Sequence, residues 1–118
     1  MQPLTEFSRI AFAIPSQVAH MTHFWITGSG AGLHGIDNAT IRYYIDGEAE
    51  ASIAFAPGMA CGVGFGDQKA PWGTKWIGKG SSRDGWFHNI RIPFYKSVRV
   101  TAQLDWQAMK ALNLPGKW

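Results

Sequence analysis

At 118 residues, with 46% hydrophobic and 16% charged side chains, the chain has material for one packed core, which excludes two ordinary domains and excludes a disordered composition. The formal charge of +3 is not concentrated in a run of five or six like charges, so there is no basic tail of the kind that grips nucleic acid. One cysteine, Cys61, excludes an internal disulfide and a cysteine-rich metal site, and a buried, inert thiol is expected.

Plentiful glycine and a 14% aromatic content favour short strands and tight turns over long helices. The apolar stretch Ile10 to Ile14 is too short to span a membrane, and Glu6 precedes it where a signal peptide carries basic residues, so neither a span nor a signal peptide is expected. Val18 to Thr27 is dense in β-formers and stops at Gly28-Ser29-Gly30-Ala31-Gly32, a strand running into a loop. His20 and His23 lie within it, and on a strand that spacing points them to opposite faces, against a shared metal. Asn38-Ala39-Thr40 is a glycosylation triplet that matters only in an exported chain.

Two β-rich segments between Thr40 and Phe55 flank Asp46-Gly47, a dipeptide suited to positive φ angles, which predicts a hairpin. Ile41, Tyr43 and Ile45 share its inner face with Ala51, Ile53 and Phe55 on the return. Pro57 to Gly85 is glycine-rich, carries Trp72 and Trp76, and shows no sustained period, so it reads as a long loop of the functional kind. Within it, Gly73 to Lys79 approaches a phosphate-binding loop, but Gly80 stands where Ser or Thr must hold magnesium. Cys61 to Gly66 lacks the dinucleotide-binding spacing, and no motif calls for a cofactor or a metal.

Trp86 to Pro93 alternates again, with Trp86, His88, Ile90 and Ile92 on one side. Pro93 donates no ladder bond and belongs at a strand end or edge. Lys96 to Ala102 reads as a strand with Val98 and Val100 inward and Ser97, Arg99 and Thr101 outward. Asp105 to Leu112 reads as a short helical tail, broken by Pro115-Gly116. The pattern predicts one all-β domain over residues 1–118, with its core over 17–103 and a tail over 104–118.

Three segments in order carry a resemblance: Met21-Thr22-His23-Phe24-Trp25-Ile26-Thr27, then Ile41-Arg42-Tyr43-Tyr44-Ile45-Asp46-Gly47-Glu48, then Ile92-Pro93-Phe94-Tyr95-Lys96-Ser97-Val98-Arg99-Val100. Together they resemble the bacterial domain of unknown function 2961, glycoside hydrolase family 172, over Gln17 to Gln103. The resemblance implies the first of two jelly rolls, assembly into trimers or hexamers or against a second roll, and a retaining action on fructofuranosides or arabinofuranosides through two glutamates. It places those glutamates beyond the matched region, so it assigns neither to a residue here and implies a module without its own catalytic pair.

Retaining glycoside hydrolysis requires two carboxyl groups about 5 Å apart. Asp67 and Asp84, flanking the tryptophan-rich loop, are the pair to test, and both also read as turn formers beside Gly66 and Gly85. For sugar binding, indole faces pack against C–H faces while polar and charged groups take the hydroxyls. Trp72, Trp76 and Trp86, interleaved with Lys75 and Arg83, form the candidate set, and the same tryptophans equally suit a cover for the end of a sandwich or an interface. The expected function is a carbohydrate-active module for fructan- or arabinan-type furanosides. The alternative is a self-assembling structural jelly roll, favoured by the low charge. A third and last-placed reading takes the loop's basic residues and tryptophans as a single-strand nucleic-acid platform, with bases stacked on indole and cations meeting phosphates.

Overall fold

The computed structural model describes residues 5–26, 29–30, 39–61, 72–80, 85–104 and 116–117. Along the chain run β1 (Thr5–Phe12), β2 (Ala19–Met21), β3 (Phe24–Ile26), β4 (Ser29–Gly30), β5 (Thr40–Ile45), β6 (Ile53–Phe55), a one-turn helix α1 (Pro57–Ala60), β7 (Trp72–Gly73), β8 (Ile77–Lys79), β9 (Trp86–His88), β10 (Ile92–Phe94), β11 (Ser97–Leu104) and β12 (Gly116–Lys117). The fold is all-β, and among the described residues every strand pair is antiparallel. One four-stranded sheet has the order β1-β11-β5-β6 and a second β3-β9-β8-β7, with two-stranded pairs β2/β10 and β4/β12.

The hairpin forms where the alternation put it. Ile41 faces Phe55 and Tyr43 faces Ile53 across β5 and β6. Asp46 and Gly47 turn the chain with φ of 55° and 79°, the left-handed region that Asp tolerates and Gly favours. The connection is wider than a two-residue turn because Glu48 organises it: its Oε1 accepts from the backbone N–H of Ile45 and of Ser52, each at 2.9 Å, and from the Ser52 hydroxyl.

The two large sheets meet through one core. Ile41, Tyr43, Val98 and Ala102 come from the first sheet, Ile92 and Phe94 from β10, and Phe24 and Ile26 of β3 pack against them. Each fully buried aliphatic or aromatic side chain of this kind contributes roughly 1.5–3 kcal/mol relative to exposure. Across the sandwich Phe24 meets Tyr43 and Phe55 edge-on at 6.1 and 6.3 Å between ring centroids, the geometry that aromatic quadrupoles favour.

Several segments depart from the alternation. The Ile10 to Ile14 stretch continues an edge strand, β1, paired along its whole length with β11 from Thr5↔Leu104 to Phe12↔Ser97, so the sheet begins before residue 17. The long loop expected over Pro57 to Gly85 contains α1 and the β7–β8 hairpin. Gly73 opposite Gly78 hides that hairpin from any hydrophobic period, yet a Cβ on Gly73 would lie 3.1 Å from the Gly78 Cα. Ser29 and Gly30, inside the expected glycine loop, pair with Lys117 and Gly116. Thr101, expected outward, is buried at the sheet centre, where its register partners are Ser8 and Arg42. The expected helical tail over Asp105 to Leu112 and Asn38, the first residue of the glycosylation triplet, lie outside the described residues.

The strand expected over Val18 to Thr27 is split. Phe24 pairs with His88 and Met21 with Ile92, so Thr22 and His23 face three residues, Asn89, Ile90 and Arg91. One extra residue on one side of an antiparallel ladder bends the strand and redirects side chains. Here it keeps both Met21 and Phe24 against the core although they are an odd number apart. Pro93 lies in the two-stranded β2/β10 pair, where an edge is available. Among the described residues no helix is long and apolar enough to cross a membrane.

Candidate functional site

A groove of about 620 Å³ opens where the interrupted ladder meets the tip of the β7–β8 hairpin, and Thr22, Lys75, Trp76, Asn89, Ile90 and Arg91 line it. Thr74 shapes the tip. Its Oγ1 accepts from the backbone N–H of Trp76 at 3.1 Å and of Ile77 at 3.2 Å, while the Thr74 N–H bonds the Ile77 carbonyl at 2.8 Å. Such a side-chain clamp competes with extended pairing and favours a tight turn. Lys75 and Trp76 are thereby held outward, with the Lys75 Nζ 5.0 Å from the Trp76 ring centroid, a cation–π contact.

Asn89 fastens the tip to the body. Its N–H donates to the Trp76 carbonyl at 2.7 Å and its Nδ2 to the Lys75 carbonyl at 3.2 Å. Its Oδ1 lies 2.6 Å from His23 Nδ1, across the interruption. The groove is thus held by backbone bonds on both sides, and Trp76, 51% exposed, presents its indole within it.

Of the residues singled out in the sequence, Lys75 and Trp76 come together. Trp86 does not join them: it is 0% exposed and packs with Cys61 between Ile26 and Ala60, so its indole has no face to offer a ligand. The reason is its place on β9, an interior strand of its sheet, with its alternate side turned to the core. Trp72 pairs through its backbone with Lys79, and its side chain, like Arg83, Asp67 and Asp84, lies outside the described residues. Cys61 is buried as expected, 3.7 Å from the Phe87 carbonyl.

Thr22, Asn89 and Arg91 are groove residues that the pattern did not select. Alternation put Asn89 and Arg91 on the side opposite Trp86 and His88, but only the change of register between Met21↔Ile92 and Phe24↔His88 turns them beside the hairpin tip.

The carboxylates with described partners are committed to turns. Asp46 Oδ1 accepts from the backbone N–H of Tyr95, Lys96 and Ser97 at 2.9, 2.6 and 3.2 Å, and these bonds, that from Lys96 foremost, hold its pKa below the ordinary carboxylate value. Glu48 is lowered likewise, chiefly by the Ser52 hydroxyl. Both are stabilised as anions, the opposite of what a general acid requires.

Behind the groove, His88 sits in the core at 5% exposure. Its Nε2 lies 2.5 Å from the Tyr43 hydroxyl, and its ring stacks on Phe24 at 5.5 Å between centroids. His88 Nδ1 and Trp86 Nε1 are buried polar atoms without a hydrogen-bond partner. Burial, then the nearby His23, pushes the His88 pKa down, and burial pushes the Tyr43 phenol up. Comparison of the chain with protein-family models, with characterised proteins and with solved structures gave no match, so the functional reading rests on this geometry and on the motifs of the sequence.

Proposed function

We propose that the chain is a carbohydrate-binding module whose ligand lies in the groove at the β7–β8 tip. The observation that carries the reading is the exposed Trp76 indole, held in place by Thr74 and Asn89, with Lys75, Arg91 and Thr22 around it. An indole supplies a face for sugar C–H groups, and the surrounding cations and hydroxyl supply the hydrogen bonds that fix orientation. The motif order that resembles glycoside hydrolase family 172 narrows the ligand to fructan- or arabinan-type furanosides. The reading is one of binding. Asp46 and Glu48 are held as anions by turn hydrogen bonds, which leaves neither as a proton donor to a leaving sugar.

Calorimetric titration of the intact chain with linear arabino- and fructo-oligosaccharides tests this. Saturable binding is expected, abolished in Trp76→Ala, retained in part in Trp76→Phe, and weakened in Lys75→Ala and Arg91→Ala. No heat from any furanoside, or unchanged affinity in Trp76→Ala, would overturn it.

A second reading, a self-assembling β-module, is favoured by β1. This strand is an edge of its sheet, and Ile10 and Phe12 stand 55% and 76% exposed on it. An apolar edge of this length is a template for pairing with another chain. Light scattering that shows a defined oligomer, dispersed by Phe12→Lys, with no sugar binding at any concentration, would favour assembly over the sugar reading.

A further inference from the structure

The second sheet has an outer face as well as a core face. Phe24 and Ile26 of β3 pack inward, so Trp25 between them points out, level with Phe87 of β9 and Gly78 of β8. Trp25 is 51% exposed, yet its ring lies against the sheet. A Cβ on Gly80 would fall 2.6 Å from the Trp25 Cη2, and one on Gly85 2.4 Å from the same atom, so the indole fills the space that two side chains would take. The Phe87 ring runs nearly parallel to it, 11° between planes and 6.4 Å between centroids, and a Cβ on Gly73 would stand 3.4 Å from the Phe87 Cζ. Two aromatic rings are thus laid over glycine backbone as a shelf, with Trp25, on the edge strand, half open to solvent.

The shelf adjoins the Trp76 groove. Two residues along from Trp25 and Phe87, His23 Nδ1 lies 2.6 Å from Asn89 Oδ1, and Asn89 both lines the groove and donates its N–H to the Trp76 carbonyl at 2.7 Å. Counted through that bond, the backbones of Trp25 and Trp76 are two strands and two residues apart, about 12 Å at ordinary sheet spacing. Between the two exposed indoles stands the polar pair of His23 and Asn89. Exposed apolar side chains scattered singly need no explanation, but rings set side by side at the margin of a groove mark an interaction surface.

We propose that Trp25 is a second sugar subsite, and that the ligand of the groove is an extended furanoside chain that runs from Trp76 across Asn89 and Phe87 to Trp25. The inference rests on the sugar-binding reading of the groove and adds a length to its ligand. Each indole offers a face to the C–H groups of one ring, and the polar pair between them meets the hydroxyls of the sugars in transit. A shelf open along its length admits a chain that continues, where a closed pocket would select a chain end. Once one sugar is held at Trp76 the next contact is made within a single complex, so Trp25 adds affinity for chains that reach it.

The test is a length series of linear arabino- and fructo-oligosaccharides, disaccharide to octasaccharide, titrated calorimetrically into the intact chain. Affinity should rise by about tenfold, the order supplied by one further aromatic contact, once the sugar is long enough to reach Trp25, and then level off. Trp25→Ala should remove that rise, and Trp25→Phe should keep part of it. In the unaltered chain labelled with 15N-tryptophan, the octasaccharide should shift the indole signals of both Trp25 and Trp76, and the disaccharide that of Trp76 alone, a measurement that needs no variant to fold. Equal affinity at every length, a rise that survives Trp25→Ala, or a Trp25 signal that no sugar moves would overturn the second subsite and leave the groove reading standing. Heat from none of the sugars would overturn the groove reading and this one with it. An oligomer dispersed by Trp25→Ala, with the length series unmoved, would make the shelf a protein interface and overturn the proposal as well.

Discussion

At the scale of single residues, the structure concentrates consequence in a few atoms. Asp46 Oδ1 gathers three backbone N–H groups and ties the β5–β6 turn to the β10–β11 turn. Asp46→Ala should therefore lower the thermal midpoint by several degrees. Asp46→Asn, which keeps an acceptor oxygen and tolerates the positive φ, should lose less. Calorimetric melting of both variants checks the order. Gly85 carries φ +87°, and a Cβ there would fall 2.4 Å from the Trp25 ring. Gly85→Ala should cost about 1–3 kcal/mol from overpacking and the strained dihedral together. Trp25→Ala in the same chain should recover the overpacking part alone, as a double-mutant cycle in urea will show. Asp46-Gly47 was legible because its dihedral needs are local. Gly85 was not, because what makes it indispensable is a ring sixty residues away in sequence.

His88 makes stability respond to pH. Its folded-state pKa lies below the ordinary 6.5 because burial disfavours the imidazolium. As pH falls, the unfolded chain takes up the proton first, so stability is full above about pH 6.5 and declines as pH drops toward the folded-state value. Melting temperatures should fall on acidification through this window, and His88→Leu should flatten that part of the profile. Sequence alone offered a lone histidine on a strand. Its isolation in the core depends on Tyr43 and Phe24 arriving from two other strands.

At the scale of elements, the candidate site is a product of irregularity. Two residues facing three between β2/β3 and β9/β10 turn Asn89 and Arg91 toward the hairpin tip, and Thr74 sets the tip itself. Thr74→Val keeps the shape of the side chain and removes the acceptor. It should weaken furanoside binding several-fold with little change in the melting midpoint, because Thr74 is exposed and acts only on the placement of Lys75 and Trp76. Paired titration and melting of that variant separate placement from stability. The regular parts of these elements were readable: alternation placed the β5–β6 faces and the inward valines of β11. Period two carries no information about where a ladder gains a residue, nor about a hairpin whose facing positions are both glycine, and for that reason the groove stayed hidden while its tryptophan did not.

At the scale of the whole molecule, sheet order matters more than any one contact. β1 and β11 pair, β3 and β9 pair, and the middle of the chain is filled by the neighbouring strands β5–β6 and β7–β8. The all-β class follows from composition and alternation. The nesting does not, because pairing partners are chosen by the global arrangement rather than by either segment alone. It has a temporal consequence. β11 occupies the slot between β1 and β5 and follows both in the chain, so on a translating ribosome both flanking edges stand open until it emerges. Local hairpins can form early, whereas closure of the first sheet awaits the distant pairing that runs from Thr5↔Leu104 to Phe12↔Ser97, which slows folding and leaves nascent chains exposed to mispairing with one another.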